Sequence, residues 1–139
     1  YEAFLKSHEH LIQNIFFTDV SDVVVNKNPF QEKIYLDHPT HIFCGDENEI
    51  LDNAWMQNHS SHLRSRISDY TLYEMNFKNE TLLNCGIMGG NMAVMHPFIE
   101  QLKAIHQAYN FDNNTAYTGD MGAFNYLART RYHGVKQGV

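Results

Sequence analysis

Ile15-Phe16-Phe17-Thr18-Asp19-Val20-Ser21-Asp22-Val23-Val24-Val25 sets the reading of every other segment. Large apolar and β-branched residues on both sides of Asp19 predict a buried strand, and the two acids interrupt it where such a strand would emerge into a cleft. An ionised carboxylate is costly to bury without a partner, so acids at a strand end call for a cation, a donor-rich ligand or water. A hard divalent metal would satisfy both. Aspartates after a strand also serve as turn formers and helix caps, and the turn chemistry of Asn26-Lys27-Asn28-Pro29 follows closely.

Working outward, Glu2 to Asn14 carries Phe4, Leu5, Leu11 and Ile12 at helical spacing, which predicts a helix feeding the strand. His8 and His10 lie two apart, point in different directions on a helix, and read as surface residues. Beyond Pro29-Phe30 a polar, turn-rich segment leads to His41-Ile42-Phe43-Cys44-Gly45, a short apolar run that predicts a second strand. Asp46-Glu47-Asn48-Glu49 suits the start of a helix, with the acids in capping and first-turn positions. Leu63 to Phe77 fits a loose helix or an edge strand equally well. Leu82-Leu83-Asn84-Cys85-Gly86-Ile87-Met88-Gly89-Gly90-Asn91 predicts a tight strand whose glycines leave no side chain between backbone and ligand. It lacks the spacing of a dinucleotide-binding loop and the lysine of a P-loop. Met92 to Tyr109 predicts a helix with Phe98, Leu102, Ile105 and Ala108 as its apolar stripe, and Pro97 marks its first turn or a kink. Asn110 to Thr115 is a polar loop, Thr118-Gly119-Asp120 starts a further helix with Asp120 as a cap, and the tail from Arg129 has no clear element. The expected core is Leu11, Ile15, Phe16, Phe17, Val23, Val25, Ile42, Phe43, Ile87, Met88, Phe98, Leu102 and Phe124.

Composition narrows the function classes. The 139 residues suffice for one domain with a real core. A formal charge of -6, with only 10 scattered Lys and Arg, supplies no basic stripe to neutralise a nucleic-acid backbone. Nothing approaches the eighteen apolar residues of a membrane span. Cys44 and Cys85 are too few and too far apart for a disulfide framework or zinc knuckle; two buried thiols are expected, with a single long-range disulfide as the alternative. The pairs His38/His41 and His59/His62 have a chelating separation, but neither has a third ligand close by, so loop histidines are expected. Sequons at Asn58, Asn79 and Asn113 arise easily in a chain so rich in Asn. The chain starts at Tyr1 within a helical pattern, so a fragment is expected.

The order of these motifs resembles the catalytic half of the GT-A type glycosyltransferases, over about Phe4 to Leu127. Asp19 and Asp22 look like the DxD element, Asn84 to Gly90 like the strand beneath the transferred sugar, and Gly119-Asp120 with Asn125-Tyr126-Leu127 like the acidic helix facing donor and acceptor. The resemblance implies an α/β domain with a mixed, mostly parallel sheet flanked by helices, spanning 1–139 as a single C-terminal, metal and acceptor side part of that fold. It implies an enzyme moving a sugar from a nucleoside diphosphate sugar to an acceptor hydroxyl with Mn²⁺ or Mg²⁺. Asp22 is the first choice of metal ligand, with Asp19 as second ligand or ribose contact. Asp120 is the catalytic candidate, steering acceptor or donor hydroxyls or acting as base if the reaction inverts, and Asp19, Asn84, Gly86, Gly89, Gly90 and Asn125 are the substrate-binding residues.

Two features depart from the family. Asp19 and Asp22 are three apart rather than two, which in an extended strand turns them to opposite faces unless a bulge or turn intervenes. The late His or Lys for the diphosphate is missing unless His133 or Lys136 takes that part. Competing readings are a phosphohydrolase with an Asp nucleophile, whose second acid would stand where Ser21 is, and a non-catalytic sugar-binding or structural fragment. A bacterial enzyme of the class would work in the cytoplasm at the inner membrane, the favoured expectation, and a eukaryotic one in the Golgi lumen.

Overall fold

The glycine-rich segment predicted as a tight strand is the centre of the sheet. The computed structural model describes residues 1–108, 119–132 and 134–136, with the side chain of Lys136 excluded; the polar loop expected at 110–115, the Thr118 helix start, the Asn113 sequon and His133 lie outside these. Strand β3 (Thr81–Asn91) runs between β1 (Asn14–Thr18) and β2 (Ile42–Ile50), antiparallel to both, and the two-residue β4 (Val135–Lys136) lies parallel to the outer side of β2. The sheet is therefore a small three-stranded antiparallel one with a short parallel edge, which overturns the mostly parallel, GT-A like sheet expected from the resemblance. Alternation of helices and strands along the chain suggested parallel crossovers. Placing β3 between the two earlier strands reverses its direction against each of them instead.

Sheet faces follow from period-two alternation along the strands. Phe16 and Phe43 sit opposite Gly89 in the same row, where a Cβ on Gly89 would lie 2.3 Å from the Phe16 ring. A side chain there would collide with that ring, so glycine is required. Phe16, Phe43, Phe30 and Tyr35 form an aromatic layer on this face, supported by α2 (Lys33–Asp37). Their neighbours Ile15, Phe17 and Ile42 turn to the other face. There Leu5 of α1 (Glu2–His8), Met95, Phe98 and Ile99 of α6 (Met92–Ala108), and Phe124 and Leu127 of α7 (Asp120–Arg131) close the main core. At about 25 cal/mol per Å² of apolar surface, each fully buried large side chain contributes roughly 1.5–3 kcal/mol before entropy is counted. A second cluster joins Met56 of α3 (Ala54–His59), Leu63 of α4 (Ser61–Arg64), and Tyr70 and Tyr73 of α5 (Tyr70–Phe77) to Tyr126 of α7. The ambiguous segment 63–77 thus holds the end of α4, a turn and α5, and no edge strand.

Several expected elements end early. The opening strand stops at Thr18, and Val20, Val24 and Val25 are exposed in the turn and coil that follow. Leu11 is exposed as well, because α1 ends at His8. Asp46 and Glu47 do not cap a helix. They lie within β2, and the cap is Asn53, whose Oδ1 accepts from Met56 N at 2.9 Å. Pro97 falls inside α6 rather than in its first turn.

Where β1 stops, α7 takes over the pairing of β3. The Asn125 side chain, fully buried, accepts from Leu83 N at 3.0 Å and donates to Leu83 O at 2.9 Å, as a neighbouring strand would. One turn on, Arg129 donates to Thr81 O. This exchange satisfies backbone groups that would otherwise be buried and unpaired, and it fixes where α7 begins.

Candidate active site

A break in strand register makes the site. Cys44 pairs with Met88, but the next residue of β2, Gly45, pairs with Asn84, so Cys85, Gly86 and Ile87 have no partner on β2. Such a bulge re-aims side chains and frees backbone from the ladder. On the other edge, the last pair of β1 is Thr18 with Ile87, and Asp19 N then donates to Gly86 O at 2.7 Å. That bond sets Asp19 over Gly86, where an added Cβ would meet Asp19 Oδ2 at 2.6 Å and Asn84 Oδ1 at 2.9 Å. Gly86 is a cradle that any side chain would fill.

Asn84 is tied on both sides. Its Oδ1 accepts from Gly86 N at 2.6 Å and its Nδ2 donates to Glu47 Oε1 at 2.5 Å, which brings a second carboxylate towards the bulge. Asp120 opens α7, and its Oδ1 accepts from Met121 N at 2.9 Å. Asp19 and Asp120 line one cleft of about 440 Å³, together with Cys85, Met88, Phe124 and His106. Burial, and then the charges of Asp120 and Asp19, push the Cys85 thiol up to about 12. The thiol is therefore neutral at physiological pH, as is Cys44, raised likewise to about 12 chiefly by burial. Both cysteines are free.

Other predicted site residues are placed elsewhere. Asp22 is exposed in the turn after β1 and is not among the residues lining the cleft. Gly89 and Gly90 are buried within the sheet, and Asn125 serves the β3 edge. No group of three or more His, Cys, Asp or Glu suited to a metal occurs among the described residues, the His38/His41 and His59/His62 pairs included. Mg²⁺ and Mn²⁺ are commonly held by one or two carboxylates and completed by substrate phosphates and water. Asp19 over its glycine cradle fits a cation that arrives with a diphosphate, and a cage supplied by the protein alone does not fit.

The sequence reading passed over Glu47, taken as a helix residue, and His106. A signal for His106 existed: Ile99, Leu102 and His106 follow i, i+3, i+7 spacing, so the imidazole continues a stripe that faces inward. Burial holds the His106 ring below the ordinary histidine value, against the opposing charge of Asp120.

Comparison with protein-family models, with curated proteins and with solved structures finds no match for this chain. Among the described residues no helix is long and apolar enough to cross a membrane.

Proposed function

We propose that this chain carries metal-assisted glycosyl transfer, from a nucleoside diphosphate sugar to an acceptor hydroxyl. The observation that carries the reading is that Asp19 and Asp120, far apart in sequence and on different elements, face one cleft beside the Cβ-free backbone of Gly86. The reading rests on this site and takes nothing from the sheet, since one chemistry recurs on unrelated folds.

Each residue then has a task. Asp19 would hold the divalent cation, with the donor phosphates and water completing its shell. When bound, that cation offsets the negative charge that builds on the departing diphosphate. The missing Cβ at Gly86 lets the Asp19 carboxylate sit close over the strand, and the Asn84 amide offers hydrogen bonds to hydroxyls without adding charge. Asp120 orients hydroxyls across the cleft. The apolar wall of Met88, Ile99, Leu102 and Phe124 keeps water from competing for the anomeric carbon.

The test is thermal denaturation of the chain with a panel of nucleoside diphosphate sugars, with and without Mn²⁺. A ligand at a hundred times its Kd stabilises by about 2.7 kcal/mol, which for a domain of this size raises Tm by roughly 8 °C. The expected result is a rise that needs Mn²⁺ and is lost in Asp19→Asn. A rise independent of Mn²⁺ would favour a sugar-recognition module, and no response to any member of the panel would refute the proposal.

A further inference from the structure

We infer that a second pocket, on the face of the sheet opposite the cleft, binds a zwitterionic aromatic amino acid, with its ring among Phe16, Tyr35 and Phe43 and its two charges at Lys27 and Glu32. The inference does not rest on the transferase reading and survives if that reading fails.

The pocket has a volume of about 210 Å³, and its walls are the rings of Phe16, Tyr35 and Phe43 with Pro29 and Ile34. Gly89 makes room for one of these rings. With no Cβ at that position, Phe16 leans over β3 in the same row as Phe43. Met88, the preceding residue, lines the cleft, and period-two alternation sends it to the other face. The sheet therefore separates the two spaces. The aromatic walls are held in place. Tyr35 and Phe43 are buried with ring centroids 4.9 Å apart, and the Tyr35 hydroxyl donates to Asn14 Oδ1 at 2.7 Å. The turn at Pro29–Gln31 is capped by Asn28, whose Oδ1 accepts from Phe30 N at 3.1 Å.

Wall chemistry and size select the guest. The one polar atom on the three rings is the Tyr35 hydroxyl, already committed to Asn14. Walls of this kind give a water molecule too few partners, whereas an apolar ring exchanges its hydration for ring contacts. An apolar cavity of about 150 Å³ takes benzene, so the pocket has room for a phenyl or indole ring. It is smaller than the roughly 300–1,000 Å³ of sites for drug-sized ligands.

Charge at the pocket selects the head group. Lys27 and Glu32 line the same space and pair with each other, Nζ to Oε2 at 2.9 Å, with side chains 71% and 40% exposed. A pair this exposed is weakly held, so each partner can be exchanged. A ligand with a carboxylate alone would gain Lys27 but face the charge of Glu32, and a ligand with an ammonium alone would meet the reverse. An α-amino acid carries both charges on one carbon and offers each side chain the opposite sign.

The experiment titrates the full chain with L-tryptophan and L-phenylalanine and follows methyl resonances by NMR, with phenylacetate, phenethylamine and L-alanine as controls. Ligands of this size bind with a Kd on the order of 1 mM. The expected result is that both aromatic amino acids shift the Ile34 methyl resonances and leave the Met88 methyl, across the sheet, unmoved. Phenylacetate and phenethylamine should bind more weakly, and L-alanine should not bind. Lys27→Gln and Glu32→Gln are surface changes that keep the fold, and each should weaken L-tryptophan about two- to fivefold. No shift at Ile34 with either amino acid, a shift at Met88 in its place, or equal binding of phenylacetate and phenethylamine with the amino acids overturns the inference. The Mn²⁺-dependent donor test reads the other face of the sheet, so the two proposals fail separately.

Discussion

Gly86→Ala and Gly89→Ala, the same change three residues apart on β3, should have opposite consequences. A Cβ on Gly89 would lie 2.3 Å from Phe16 Cγ and 2.5 Å from Ile15 O, a packed ring and a backbone carbonyl that have no room to move. Overpacking of this kind costs about 1–3 kcal/mol. With two rigid neighbours the upper figure applies, and a domain of this size loses roughly 10 °C in Tm. A Cβ on Gly86 would meet Asp19 Oδ2 at 2.6 Å and Asn84 Oδ1 at 2.9 Å, both side-chain ends. The exposed Asp19 carboxylate can swing away, and alanine recovers about 0.5–1 kcal/mol of backbone entropy, so Tm should stay within about 3 °C. What Gly86→Ala removes is the place of the carboxylate in the cleft, and with it the Mn²⁺-dependent stabilisation by a nucleoside diphosphate sugar. Scanning fluorimetry of the two variants, with and without Mn²⁺ and donor, reads both effects. If Gly86→Ala unfolded like Gly89→Ala, or kept the wild-type response to donor and Mn²⁺, the cradle argument would be refuted.

Asn125→Leu leaves the N–H and C=O of Leu83 without partners and should cost about 3 kcal/mol, from roughly 1–3 for each unpaired group; urea denaturation with an unchanged midpoint would count against the strand-edge role. His62 and His106 are both held below the ordinary value by burial, so the unfolded chain binds their protons more readily, and stability is full above about pH 6.5 and declines as pH falls through that value. Tm measured from pH 7.5 to 5 should show the decline, and His62→Gln/His106→Gln should flatten it; a wild-type profile already flat would contradict the assignment. With both thiols raised to about 12, iodoacetamide at pH 8 should label neither cysteine in the folded chain and both in urea, and rapid labelling of native Cys85 would show that its environment has been misjudged.

What the sequence revealed followed local periodicity. The cores of β1 and β3, the inward stripe of α6 and the start of α7 at Asp120 were legible because alternation and 3.6-residue spacing are properties of the segment itself. Strand direction was not legible, because helix and strand alternation is equally compatible with a parallel crossover and with insertion of a later strand between two earlier ones. Asp46 and Glu47 were misassigned for a related reason. Acids before an apolar run have the composition of a helix start, whereas pairing with β3 draws the segment into the sheet and tertiary context overrides propensity. Asp19 was singled out by its position at a strand end. That Asn125 would act as a strand substitute could not be read, since it depends on where β1 stops.

That last dependence links the two halves of the site. Asp19 is set by the bond from its N–H to Gly86 O, and Asp120 by the anchoring of α7 through Asn125 on Leu83 and Arg129 on Thr81. Both acids are therefore indexed to one strand, on either side of the Cys85–Ile87 bulge. Were β1 two residues longer at its end, it would continue past Ile87 and occupy the edge where Asp19 now bends over Gly86. Were the bulge absent, Gly86 would be held in register with β2 beneath the Asp19 carboxylate. The early end of β1 and the slack in β3 are thus one structural device, because the backbone groups that they release are the ones that Asp19 and α7 then use.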